Sequence, residues 1–447
     1  MNNLKVGFSR IDITPELGID IAGYYVKRIA DGVLDRLCAN AVAFECGGEK
    51  VVMIALDNLG VNQDISKKYR EKIAKETGIC ESGIFISCTH THTAPAASPN
   101  MSADVDKYIE FLSCRVVEAA KGALDDLKDA KMGYGKGTAP NIAFVRRFRM
   151  KDGSVKTNPG VNNPDIVAPI GDVDETVSVL RFDREGADTV VLVNFGCHPD
   201  VVGGTKYSAD WPGLVCSTVE KTLDGTKCIF FNGAQGDINH VNVHPEGGFL
   251  NGTFNDFDDV SRGYDHARYM GRVVTGGVLQ AFDKVRYVDV DSLKSVHKVI
   301  NVPSNKPTPE EMPEARRINE LHLAGRDSEL PYSGMMLTTI VAAAARKVRL
   351  ENAPETFQMI LSGIRIGNIG IVGIPGEPFL GIGKGLKETE DYEMIIPVCC
   401  ANGYQGYFPM KDSYDEGGYE AGTSSFRAGS AEFIVSEGKK LLKEMKN

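Results

Sequence analysis

The sequence has no cysteines at C-x-x-C spacing, no block of Lys and Arg, no internal repeat or low-complexity tract, and no apolar run of the about 18 residues that a membrane helix needs. Each absence removes a class of protein. The ten cysteines, at 38, 46, 80, 88, 114, 197, 216, 228, 399 and 400, are scattered along a long chain. They read as small buried hydrophobes, not as a disulfide framework or a zinc ribbon. Fifty Lys and Arg against sixty Asp and Glu give a net charge of -10, which argues against nucleic acid as a partner and against strong attachment to an anionic membrane. Met1-Asn2-Asn3-Leu4-Lys5-Val6 runs into structure without a hydrophobic leader. The expectation is a cytoplasmic protein, secreted or periplasmic only if a signal peptide has been trimmed.

What is present is ordinary globular composition, 42% apolar and 25% charged, over 447 residues with no linker. The expectation is therefore one body spanning 1–447. Strand-like alternation opens at Val6, and 41–45 pairs with 51–56 as a hairpin whose end, Asp57, adds an acidic candidate at a sheet edge. Helical spacing covers 64–77 and 104–127, and a Gly/Pro/Asn-rich passage at 138–175 reads as surface loop. Strands follow at 178–182, 189–195 and 228–232, with helices at 210–223 and 259–284. Beyond them come a strand at 288–302, helices at 309–323 and 335–350, strands at 357–366, 369–374 and 394–399, a helix at 378–387, a Tyr/Gly-rich loop at 402–427 and a terminal helix. This is an α/β or mixed α+β pattern, a sheet flanked by helices, with ligands expected at the C-terminal ends of strands.

Polar clusters sit at four of those ends. Ile84-Phe85-Ile86-Ser87-Cys88-Thr89-His90-Thr91-His92-Thr93-Ala94-Pro95 is a β-prone run carrying two histidines and stopped by proline. On extended backbone His90 and His92 point the same way. Both can bind one metal ion, or one can bind while the other shuttles protons; alone, they are equally well two loop histidines satisfied by backbone and water. Asn194-Phe195-Gly196-Cys197-His198-Pro199-Asp200 repeats the arrangement, although a lone histidine there is commonly a structural hydrogen-bonder. Phe230 to His240 enters a loop punctuated by Gly233 and Gly236, where glycine lets backbone approach a ligand, or where Asp237 simply caps a turn. In Ile374-Pro375-Gly376-Glu377-Pro378, proline suits the first helical position and puts Glu377 at the N-cap, for which it is poorly suited. Tyr404, Tyr407 and Tyr419 lie in Gly-rich loops, as half-buried anchors or as site hydroxyls. Histidines plus a carboxylate at strand ends fit a catalytic zinc site with an open position for water.

In one order along most of the chain, the set Val6 to Thr14, Thr89-His90-Thr91-His92, His198-Pro199, Asn232-Gly233-Ala234-Gln235-Gly236-Asp237, Pro375-Gly376-Glu377, Tyr407 and Tyr419-Glu420-Ala421 resembles the neutral/alkaline non-lysosomal ceramidases, zinc-dependent amidases that cleave the N-acyl bond of ceramide. The resemblance implies a Zn2+ ion held by His90, His198, Glu377 and Tyr407. It implies His92 and Tyr419 as proton-handling and oxyanion-holding groups, and an arginine in the site, Arg146 in preference to Arg147. Asp237 is expected to orient a histidine through its second ring nitrogen, and His240 and His244 to sit at the rim. Two departures bear on substrate. The family's serine after the Gly-Asp pair is here Asn239, whose amide can bind substrate but cannot supply a hydroxyl, and the family's C-terminal immunoglobulin-like domain is not expected. The implied substrate is a small-molecule or lipid-like amide, with ceramide itself in question. An ester, lactone, glycan-linked amide or phosphate hydrolase on the same site, and a non-catalytic metal-containing binding protein, are the alternatives.

Overall fold

Four layers are built from these elements. In this computed structural model, which describes residues 4–446 other than 96, 100, 246–252, 257 and 259, a nine-stranded and a four-stranded sheet pack face to face, with helices on the outer face of each. The larger sheet runs Thr226–Asn232, Thr189–Phe195, Thr176–Arg184, Lys128–Thr138, Lys5–Asp12, Cys38–Cys46, Glu49–Leu56, Ile84–Cys88, with Arg286–Val288 beside Lys128–Thr138. Its middle is antiparallel and its two edge pairs are parallel. The smaller sheet is Leu293–Pro303, Thr356–Ile366, Ile369–Gly373 and Met394–Val398. The mixed α/β class read from the sequence is the observed one.

Apolar side chains on alternate positions explain the layering, since each strand must bury one face or both. Val6, Phe44, Phe85, Phe182 and Phe231 from one sheet meet Ile364, Ile371 and Ile396 from the other. The outer face of the larger sheet buries Ile54 and Ile86 under helices Gln63–Thr77 and Ala103–Asp125, and Val191 and Phe230 under Asp210–Thr222 and Tyr264–Phe282. Leu380–Lys387 and Ser430–Lys446 cover the smaller sheet. Met394–Val398 joins the two ends of the larger sheet: Cys399 N–H donates to Asn232 O at 3.0 Å and Cys88 N–H to Cys400 O at 3.2 Å. The C-terminal ends of six strands, in three parallel pairs, therefore open on one rim.

The structure corrects several readings. The passage 138–175 is not simply loop: Arg147–Met150, Val155–Thr157 and Ile166–Pro169 form a small sheet that packs on Val241, Val243 and Val260. Strands of three or four residues are too short to show a period between so many Gly, Pro and Asn. Glu377 is no N-cap, because Glu377–Pro378 pairs in parallel with Tyr407–Phe408 and the helix begins at Leu380 after Phe379. The helix expected from 259 starts at Tyr264, behind the strand Ser261–Arg262; Asp259 and the leader residues 1–3 lie outside the described residues. All ten cysteines are free, and Cys80 and Cys114 are exposed, not buried. Among the described residues no helix is long and apolar enough to cross a membrane.

Adjacent glycines in Tyr264–Phe282 test this packing. A Cβ on Gly276 would meet nothing within 4 Å, whereas one on Gly277 would lie 2.7 Å from Val177 Cγ2 and 3.0 Å from Thr138 O. Gly276→Ala should raise the unfolding free energy by up to about 1 kcal/mol through helix propensity. Gly277→Ala should lower it by about 1–3 kcal/mol through overpacking, both read from urea unfolding.

Candidate metal centre

Three of the six strand ends deliver histidines or their staple. The strand Ile84–Cys88 stops before His90, so its alternation does not aim the two rings. A left-handed His90, at φ 74°, turns the chain instead, with its N–H on Asn58 O at 3.0 Å. His92 N–H donates to Pro199 O at 3.2 Å and His198 N–H to Ile238 O at 3.1 Å. Asn232 locks the two histidine loops together from below: its buried Nδ2 donates to Thr89 O at 3.2 Å and Cys197 O at 3.0 Å. Gly236 leaves room for backbone, not for a ligand, since its Cβ would sit 2.6 Å from Glu377 O.

The three imidazoles meet at this rim. Ring centroids of His90 and His92 are 5.1 Å apart, of His90 and His198 4.9 Å, and of His92 and His198 5.3 Å. One ligand atom from each lies within 4.8 Å of the others, so the group can hold a metal ion. Glu377 Oε2 lies 3.2 Å from His90 Nε2 and 3.3 Å from His198 Nε2. His90 Nδ1 sits 2.6 Å from Leu59 O and His198 Nδ1 3.4 Å from Gln235 O. A carbonyl only accepts, so Nδ1 carries the proton in each neutral ring and Nε2 presents a lone pair.

Burial pushes the His198 imidazole well below its ordinary range, with Arg146 adding to it, and burial takes His92 down to about 3. Three electron pairs thus converge on a dry spot: Glu377 Oε2 has no hydrogen-bond donor among the described residues, and neither ring nitrogen of His92 has a partner. Such a donor set repels itself until a cation neutralises it, so the residues fit a metal ion.

Other expected residues fall in varied places. Tyr407 is side by side with Glu377 in the strand pairing and stacks 6.4 Å from the His198 ring. Tyr419 packs edge-on 5.7 Å from Tyr407 and shares a hydrogen bond with Tyr25. Arg146 is buried and already engaged: Nε is 2.7 Å from Glu420 Oε1, Nη2 donates to Gly236 O at 2.5 Å, and a further bond goes to Tyr407. Arg147 points away, to Ser413 and Glu416. Asp237 does not orient a histidine. Its Oδ1 accepts from Leu380 N–H at 2.7 Å, because the loop docks on the start of that helix. The Asn239 amide is committed to Asn158 Oδ1 at 2.9 Å and to Val241 N–H at 3.0 Å. His240 is not at the rim but buried against His266, with Nε2 on Ser261 O, whereas His244 is exposed. Asp57 lies beneath the histidine loop, accepting from Cys38 N–H at 2.9 Å.

Sequence reasoning gave no specific role to two groups. Tyr404 donates to Glu377 Oε1 at 2.5 Å, and its place in the same Gly-rich loop as Tyr407 was the available signal. Asp200 stands 3.7 Å from His92, directly after His198-Pro199.

No family model matches this chain, and no curated protein matches it. Its class is given by shape: the two-sheet body with outer helices is the fold of the neutral ceramidases. The crystal structure of neutral ceramidase from Pseudomonas aeruginosa superposes at TM-score 0.73 over 99% of this chain and 75% of that one, with 16% identity. A ceramidase complexed with C2 gives TM-score 0.73 over 100% of this chain and 76% of that one, with 17% identity. At such identity the likeness is one of fold.

The two second-layer residues give opposite expectations on substitution to their isosteres. Asn232→Asp removes the donor that two carbonyls share, and should cost about 1–3 kcal/mol of stability and lower metal content although no metal-facing atom changes. Asp237→Asn keeps an acceptor for Leu380 N–H and should leave metal content unchanged, while Asp237→Ala should destabilise by about 1–3 kcal/mol. Metal analysis beside denaturant unfolding checks both.

Proposed function

We propose that the chain is a metal-dependent hydrolase of linear N-acyl amides, with Zn2+ held by His90, His198, Glu377 and Tyr407 and with His92 left as the proton carrier. The observation that carries the reading is the donor-free Glu377 Oε2 facing two imidazole lone pairs at 3.2 and 3.3 Å. When bound, zinc supplies Lewis acidity, which activates water near neutral pH and polarises the scissile carbonyl.

The rest is done by the chain. His92, flanking His90 and His198 but with no ion pair to Glu377, gives a proton to the departing nitrogen as the C–N bond breaks. The Tyr419 hydroxyl, steadied by Tyr25, donates to the carbonyl oxygen as negative charge grows there. Tyr404 fixes the Glu377 carboxylate. Arg146, bonded to Gly236 O and Tyr407 and paired with Glu420, holds Tyr407 in place. A cleft of about 530 Å³ is lined by Gly23, which crosses the His92 ring, and by Leu59 and Tyr404, which contact His90 and Glu377, with Ile21, Val26 and Met101 on its walls. That volume suits a small-molecule or lipid-like acyl amide. Asn239, spent on Asn158 and Val241, gives no support to ceramide in particular.

Metal analysis with a substrate panel tests the reading. Wild type should carry about one zinc per chain, in keeping with a single catalytic site, and His198→Ala and Glu377→Ala should lose it. His92→Ala should keep the metal and lose about 10²–10⁴-fold in kcat on N-acyl amides. No bound metal, or metal retained in both ligand variants, would sink the proposal. Turnover of esters or phosphates but not amides would move it to another bond.

A further inference from the structure

His92 is held from three sides. Its backbone N–H is on Pro199 O at 3.2 Å, and its carbonyl accepts from Arg28 Nη2 at 2.7 Å. Across one face of the ring runs Gly23, at φ 106°, where a Cβ would come within 2.7 Å of Nδ1. The charged group nearest the ring is Asp200, with Oδ1 3.7 Å from His92 Nδ1. Asp200 is itself built in: Arg262 Nε donates to Oδ1 at 3.0 Å and Nη2 to Oδ2 at 2.7 Å, and Tyr24 OH donates to Oδ1 at 2.5 Å. Arg262 is gripped in turn by both oxygens of Asp258, at 2.6 and 2.9 Å. The Tyr24 ring lies between two guanidinium groups, 3.7 Å from Arg28 and 4.7 Å from Arg262. So much bonding around one carboxylate fixes where its oxygens lie, and Oδ1 lies 3.7 Å from His92 Nδ1, close enough to act on the ring's charge without a hydrogen bond.

We propose that Asp200 is the positioning residue for His92: it orients the ring and keeps the proton on Nδ1, so that Nε2 is the nitrogen that exchanges protons in the reaction. This rests on reading His92 as the proton carrier of an amide hydrolase. Hydrolysis adds one water to one amide. The water oxygen bonds to the carbonyl carbon; the proton that water releases reaches His92 Nε2 and passes to the nitrogen, which leaves with the C–N electron pair. Acid and amine are the products, and His92 ends as it began. While Nε2 carries that proton the ring is cationic, and the fixed carboxylate at Nδ1 stabilises it. Arrangements of this kind lose several orders of magnitude when the carboxylate becomes an amide, because the wrong nitrogen then holds the proton.

The test is a double-mutant cycle on the metal-loaded protein, with Asp200→Asn made in wild type and in His92→Ala and assayed on an N-acyl alkylamide. In wild type the substitution should lower kcat by about 10²-fold or more, with KM within about threefold and metal content unchanged, while the melting temperature falls by the same amount in both backgrounds because Arg262 loses a charged partner in each. In the His92→Ala background it should change kcat less than about twofold, since a residue acting through another has nothing left to lose. Tyr24→Phe, which removes one donor from Asp200 without touching its charge, should give a smaller loss of the same kind. An equal loss in both backgrounds would make Asp200 merely structural, and loss of metal with Asp200→Asn would make His92 a ligand; either overturns the assignment. An active wild type with unchanged kcat in Asp200→Asn overturns it too while leaving the hydrolase standing. A metal-loaded wild type inactive on the whole panel overturns both.

Discussion

A carboxylate oxygen buried beside two neutral imidazoles is the constraint from which the centre follows. Glu377 is 1% exposed, and its Oε2 faces His90 and His198 without a donor. Taking a carboxylate out of water is costly unless charge and hydrogen bonds replace the lost solvation. Tyr404 supplies one bond, to Oε1. Among the described residues Oε2 has no hydrogen-bond partner, and the carbonyls of Leu59 and Gln235 stand at the far nitrogens of the two imidazoles. The geometry is unfavourable as it stands and favourable around a cation. That is how a protein stores affinity for a metal.

The fold makes this possible by bringing together strand ends that are remote in sequence. Ile84–Cys88 and Thr226–Asn232 form opposite ends of the larger sheet, and Met394–Val398 of the smaller sheet bridges them. Asn232 then ties the His90 and His198 loops with one amide group. Backbone strain gathers where the bridge is made: His90, Cys400 and Asn402 all adopt left-handed conformations, at φ 74°, 48° and 55°. For a histidine and a cysteine such conformations cost free energy, which persists only where surrounding packing over-determines them.

How much of this the sequence revealed depended on the range of each signal. Strands at 189–195 and 84–88 were legible because each buries a continuous apolar run, and their histidines stood out against the proline that follows. Lys128–Thr138 was not legible. Gly133, Gly135 and Gly137 replace the β-branched residues a strand normally shows, since helix Tyr264–Phe282 and its following turn pack directly on them: a Cβ on Gly137 would lie 1.9 Å from Gly277 O. Glu377 was placed at a helix cap by a local rule about proline, and the distant pairing with Tyr407–Phe408 overrode it. Asp237 was assigned to a histidine by proximity in sequence to motifs of the site, but a loop's side chains are decided by what the loop docks on, here Leu380.

The three histidines, alike in sequence, are told apart by what stands behind them. The Nδ1 atoms of His90 and His198 face backbone carbonyls, which carry dipoles but no net charge. At His92 the Nδ1 side is turned to a carboxylate, Asp200, which is clamped by Arg262 and Tyr24. A neutral partner suits a nitrogen that donates its lone pair permanently, since added negative charge there would burden a centre that already holds Glu377. A charged partner suits a ring that becomes cationic for part of a cycle and must be stabilised only then. Under the proposed reading, this difference in partners is the electrostatic ground for assigning His90 and His198 to the metal and His92 to the proton.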